Sequence, residues 1–285
     1  MQNSEFRNVG AAGTIVLLAM LFSPSVAAQW RAHPERNAPK KADGTVNLDA
    51  PAPRTPDGKP DFTGVWVNAW FVSGRVLPLP VSPLGEPPAA TFGDVFANFQ
   101  QPLPLQPWAA QLKAARKEQH SKENPDAHCL PMGLIQFHMH PQPRKVLQTP
   151  DVMAILYEGN AGIRQIFTDG RGLPPADAQP WWYGYSIGRW DGDTFVVETS
   201  NFRDGGWLDI DGSPLTDAAR MTERWRRVNY GTIQIDVTID DPKAYTRPFS
   251  LRVHHRLMVD NAFDADLIEF VCQENNKAPQ LMVGK

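Results

Sequence analysis

Thr232-Ile233-Gln234-Ile235-Asp236-Val237-Thr238-Ile239-Asp240 sets four β-branched apolar residues at every second position, with polar residues between them. A period of two sends alternate side chains to opposite faces of an extended chain, so Thr232–Ile239 is a strand with one packed face and one wet or cavity-facing one. Working outward, Asn229-Tyr230-Gly231 is a turn, and Arg220–Arg227 before it and Thr246–Met258 after it are further strands. Asp191-Gly192 marks a hairpin between Trp182–Trp190 and Thr194–Thr199. The same pattern predicts strands at Leu134–His138, Arg144–Gln148, Val152–Tyr157, Ile163–Thr168 and Asp266–Cys272. Many short strands with tight turns favour a mainly β chain, an antiparallel sheet closed into a lipocalin-like or related β-barrel, with a two-sheet sandwich as the rival. Closure protects the sheet edges and can leave a cavity for a small ligand.

The first half differs. Most of the 27 prolines lie before residue 150, and Pro51–Pro60 admits neither a regular helix nor a central strand. Residues 29–60 therefore form a proline-rich extended segment, and 61–277 a single β-rich domain with a loop and helix insertion at about 76–128. Phe92, Phe96 and Phe99 are expected to pin that loop to the body. The insertion carries one amphipathic helix opened by Pro107 and running to about Glu118, with Trp108, Leu112 and Ala115 expected on its packed face. Residues 278–285 are a C-terminal tail.

Residues 1–28 have the parts of a secretory signal peptide in order: Arg7, an apolar run from Ala11 to Phe22, the breakers Ser23-Pro24-Ser25 and small residues to Ala28. The run is about twelve residues, short of the roughly twenty that span a bilayer. The expected location is the periplasm or outside the cell, with no stable membrane span after cleavage. A net charge of −3, with basic and acidic residues interspersed, leaves no cationic footprint for nucleic acid. Nothing in the sequence sets an oligomeric state. The two cysteines, Cys129 and Cys272, are expected to form a disulfide in an oxidising compartment, two buried thiols being the alternative.

His138 and His140 alternate on a predicted strand and would share a face, offering two metal ligands with Glu158 or Glu198 as a third. Hydrogen-bonded pocket histidines are the plainer reading, and no metal is assigned. His255 shares its strand phase with Leu251, Val253 and Leu257, which makes it a polar group on an apolar face and a candidate for proton transfer. Glu198 and Glu223 are the carboxylates proposed to act with it, while Tyr183, Tyr185, Arg164 and Glu158 would line a ligand cavity with His138 and His140. Exposed ion-pair ladders are the competing reading of the strand carboxylates. No GxSxG elbow, phosphate-binding loop or dinucleotide fingerprint occurs, so no organic cofactor is expected.

Phe62-Thr63-Gly64-Val65-Trp66 resembles the glycine-x-tryptophan start of lipocalin-like barrels. The wider chain resembles a group of secreted bacterial β-rich proteins of poorly defined function, through PAPRTPDGKPDFTGVW (51–66), CLPMG (129–133), RQIFTDGR (164–171), GYSIGRWDGDTFVVETSNF (184–202), MTERWRR (221–227), TIDDPKAYTRPF (238–249) and EFVCQEN (269–275). The resemblance implies export and a β-rich body, and it carries no catalytic mechanism. Two functions follow as expectations: a cofactor-independent lyase, isomerase or hydrolase acting by acid–base chemistry on a small hydrophobic or aromatic molecule, or a binding protein for such a molecule. A structural or partner-binding module is the third.

Overall fold

The computed structural model describes residues 38–69, 71–72, 75–76, 86–100, 103–259, 266–272 and 274. The expected signal peptide, residues 1–28, and the tail, 278–285, lie outside them. Thirteen strands are described: β1 (Gly64–Asn68), β2 (Phe71–Val72), β3 (Arg75–Val76), β4 (Arg144–Gln148), β5 (Val152–Tyr157), β6 (Ile163–Phe167), β7 (Tyr185–Asp191), β8 (Thr194–Ser200), β9 (Gly206–Trp207), β10 (Pro214–Leu215), β11 (Arg220–Asn229), β12 (Thr232–Asp240) and β13 (Phe249–Leu257). Nine of them close into a barrel in the order β1-β13-β12-β11-β8-β7-β6-β5-β4, with β4 pairing back to β1. The mainly β barrel expected from the alternation is the observed architecture.

The expected all-antiparallel ladder needs one correction. A ring with an odd number of strands cannot alternate direction all the way round, so at least one pair of neighbours must be parallel. That pair is β6–β7, joined only through Ile166↔Ser186 and Phe167↔Ile187. A parallel pair needs a long crossover. Residues 168–184 supply it, held to the body by Trp181 N to Asn201 O at 2.9 Å and Asn201 Nδ2 to Pro175 O at 2.8 Å.

The predicted strand at Leu134–His138 is instead a short helix, α2 (Leu134–Met139), and all six of its residues are buried. Leu-Ile-Gln-Phe-His-Met has no polar face, and a short apolar run does not distinguish a buried strand from a buried helix. The helix packs against the β9–β10 connection so closely that a Cβ on Gly133 would sit 1.7 Å from the Trp207 carbonyl oxygen. The predicted last strand, Asp266–Cys272, is also absent, since no residue from 266 to 272 has strand pairing. Barrel closure falls to β1, which lies between β13 and β4.

The longer helix, α1 (Pro107–Glu118), stands where Pro107 and the alanine-rich run predict it. Its packed stripe is different from the expected one. Ala109 and Lys113 are buried, Trp108 is 44% exposed and Ala115 is exposed. Lys113 is drawn inward by carboxylates, with Nζ 2.6 Å from Asp94 and 3.6 Å from Asp209. Phe96 and Phe99 pack on Phe249, with ring centroids 5.0 and 6.0 Å away, so the loop is pinned through its aromatics.

Candidate functional site

Strand phase decides what enters the barrel. Along β11 every second residue is buried: Met221, Glu223, Trp225 and Arg227. Glu223 therefore points inward with neither oxygen exposed to solvent. Arg164 of β6 reaches it from across the barrel. Its Nη1 donates to Oε1 at 3.1 Å, its Nη2 donates to Oε2, and Nε and Nη2 also donate to Ser186 and Thr199. His138 descends from α2, with Nε2 2.6 Å from Glu223 Oε1.

Burial alone would raise the Glu223 pKa, but Arg164 and His138 outweigh it and bring it to about 2. His138 is also shifted downward, first by burial and then by Arg164 and Arg144, against the pull of Glu223. An ionised Glu223 can only accept, so a neutral His138 carries its proton on Nε2. Its Nδ1 is then a bare lone pair, and no hydrogen bond from the described residues reaches it.

Arg144 and His255 secure the end of α2. Arg144 Nη1 donates to His138 O at 2.8 Å and Nη2 to His140 O at 2.8 Å, so a buried guanidinium satisfies carbonyls that a helix end leaves open. His255 Nε2 lies 2.8 Å from both Arg144 Nη1 and His138 O. Burial, followed by repulsion from Arg144, holds the His255 pKa well below its usual value. This end of the barrel is plugged by α2 and bolted by charge-assisted hydrogen bonds.

The remaining candidates lie elsewhere. His140 follows the helix and turns away from His138, packing edge-on to Phe92 with ring centroids 5.1 Å apart. The shared-face pair expected of a strand does not exist, because the backbone there is helical. Glu198 projects from the outer wall of β8 and pairs with Arg189 at 3.0 Å, with its side chain 40% exposed. It is not brought to His255 and Glu223. Glu158 is buried at the rim, accepting from Gln142 and from Ile268 N at 3.1 Å. Tyr183 packs edge-on to Phe137, and Tyr185 stacks on Phe167 on the outer face. Among the described residues no group of three His, Cys, Asp or Glu side chains is placed to hold a metal ion.

The opposite mouth is open. A cleft of about 450 Å³ lies there, walled by Met153, Gly188, Trp190 and Phe195 and rimmed by Thr55–Asp57 and Gln148–Pro150. It occupies the seam where β6 ends while β7 continues. Apart from the indole N–H of Trp190, its polar side chains are engaged: Gln148 with Phe62 N and Pro60 O, Thr149 with Val152 O, Thr168 with Pro150 O, Arg189 with Glu198, and Asp57 with Thr55. The proline-rich arm over the rim is held by Arg54 on Asp193 at 2.6 Å, and Phe62 stacks on Trp190 at 5.8 Å. Gly188 makes room for Phe195, whose ring would lie 2.3 Å from any Cβ there.

No family model and no curated protein matches the sequence. Function has to be argued from these two ends of the barrel.

Sequence reasoning missed the cleft, although Trp190, Phe195 and Gly188 all belong to the hairpin it recognised. Their common inward phase was the available signal. The seam itself has no local signature, because it arises from which strands become neighbours.

Acid should loosen the plugged end in two stages. Histidines with lowered pKa keep their full contribution above the ordinary value of 6.5 and lose it below, His140 titrating only at about 4. Glu223 contributes above its ordinary 4.5 and loses its contribution as pH falls through about 2. Urea midpoints are expected to fall from about pH 7 to about pH 5 and to fall further below about pH 4. A midpoint flat from neutral to about pH 5 would mean that these histidines are not held neutral by burial.

Proposed function

We propose that the protein binds a small, flat hydrophobic or aromatic molecule in the open barrel mouth and does not transform it. One contrast carries this reading: the ionisable groups suited to proton transfer are locked to one another at the plugged end, whereas the cleft is aromatic and its ionisable side chains, Arg189 and Asp57, are paired with Glu198 and Thr55. A cleft of about 450 Å³ falls within the usual range for small-molecule sites. The resemblance of the chain to secreted β-rich proteins and the reading of residues 1–28 support an extracytoplasmic site of action. The Cys129–Cys272 bridge fits an oxidising compartment. Intact mass of the protein from a periplasmic extract tests the location, with a mature chain starting at Gln29 expected.

Calorimetric titration with 2-naphthol tests the binding. Trp190→Ala removes one wall and is expected to weaken binding about tenfold, in keeping with roughly 0.5–1.5 kcal/mol for an aromatic contact plus the lost burial. Trp181→Ala, on the outer surface, should leave the affinity unchanged. Equal affinity in wild type and W190A would place the ligand elsewhere.

A second reading, acid–base catalysis, is favoured by the bare Nδ1 of His138 beside a carboxylate that orients its ring. It requires α2 to open. Small-molecule mass spectrometry before and after incubation would favour it if turnover occurs and is abolished in His138→Gln.

A further inference from the structure

The main chain at the seam narrows the ligand's chemistry. Asp191↔Thr194 closes a two-residue hairpin, so Asp191, Arg189 and Ile187 turn their N–H and C=O groups toward β8. Ser186, Gly188 and Trp190 turn theirs the other way. On that side β6 reaches only as far as the Phe167↔Ile187 pair, where the ladder meets Gly188 N–H. Beyond it the chain leaves, and Thr168 N–H donates to Asp151 O at 2.8 Å. The Gly188 carbonyl and the N–H and C=O of Trp190 therefore face the cleft side with no hydrogen bond among the described residues. Main-chain groups left in this way call for a partner. With the Trp190 indole N–H they are the open polar groups of a cleft whose other polar side chains are engaged.

We propose, resting on the binding reading above, that the ligand is a neutral planar aromatic with a lactam-type edge, docked on the N–H and C=O of Trp190. In an extended residue these two groups lie side by side on one edge. A cis-amide presents a matching acceptor and donor in the plane of its ring. The ring itself then lies between Trp190, Phe195 and Met153, and a second in-plane donor can reach the Gly188 carbonyl. An anionic carboxylate is disfavoured on this edge, since two of the three main-chain groups are carbonyls, Asp57 stands at the rim and the cation in the lining, Arg189, is paired with Glu198.

Three probes of nearly equal size test this on the full mature chain: 2-quinolone, N-methyl-2-quinolone and naphthalene. Affinities come from calorimetry, and the Trp190 amide is followed in ¹⁵N-resolved NMR. The expectation is that 2-quinolone binds at least tenfold more tightly than either other probe and moves the Trp190 amide resonance. The N-methyl compound keeps the acceptor but loses the donor, so it should lie between the other two. If all three bind alike and the Trp190 amide does not move, the lactam inference is overturned while aromatic binding stands. If none binds, the binding reading fails and the inference fails with it.

Discussion

Arg164→Met is expected to lower the unfolding free energy by about 3–5 kcal/mol, because it strands a fully buried Glu223 carboxylate without its main countercharge. The loss stems less from the missing attraction than from the cost of an uncompensated charge in the core. The double variant R164M/E223L removes both charges and should regain at least half of that loss. What remains reflects the Nε2–H of His138, left with no acceptor at a cost of roughly 1–3 kcal/mol. Urea denaturation of wild type, both single variants and the double variant forms a cycle that isolates the coupling. A loss below about 1 kcal/mol in R164M would show the pair to be hydrated like a surface ion pair, not sealed under α2.

Replacing both cysteines by serine is expected to cost about 2–5 kcal/mol, the range for native disulfides. Cys129 and Cys272 are bridged, with Cα atoms 5.6 Å apart and a sequence separation of 143. Closing so long a loop in the unfolded chain corresponds to roughly 5 kcal/mol in the entropy model. The bridge does not end on a strand, although Asp266–Cys272 is predicted as one, because residues 266–272 have no strand pairing. It anchors a peripheral segment already held by Lys145 on Asp266 and by Ile268 N on Glu158. The effect should therefore be read as a drop in denaturation midpoint together with faster amide exchange at 266–272. Intact mass under non-reducing conditions after thiol alkylation settles the bond itself. Two alkylated thiols in protein from the oxidising compartment would contradict it.

Where the pattern was local, the sequence was readable. Ile233, Ile235, Val237 and Ile239 are all buried, as their period of two requires. The phase of β11, with Met221 and Trp225 on either side of Glu223, was an available signal for its inward direction, which the reading left open against exposed ion pairing. The Asp191-Gly192 turn and the Pro107 helix start followed from backbone chemistry that a few residues carry alone. Leu134–Met139 was misread because an apolar run with no polar face has no period to report. His140 consequently lost its supposed partnership with His138. Glu198 was grouped with His255 by residue type, but its strand phase sends it to solvent, where Arg189 meets it.

By itself the sequence determined that the chain would make many half-buried strands with a proline-rich arm, and it favoured a closed barrel while leaving a two-sheet sandwich open. Those properties depend on side-chain alternation and on backbone restrictions over a few residues. Only the tertiary structure decided that nine strands close the ring, that one pair must then run parallel, and that the pair leaves a seam at one mouth. It also decided that a six-residue helix enters the other mouth and joins His138 to a carboxylate 85 positions away. Neighbour choice is set by closure and packing of the whole ring, and no local run of residues encodes it.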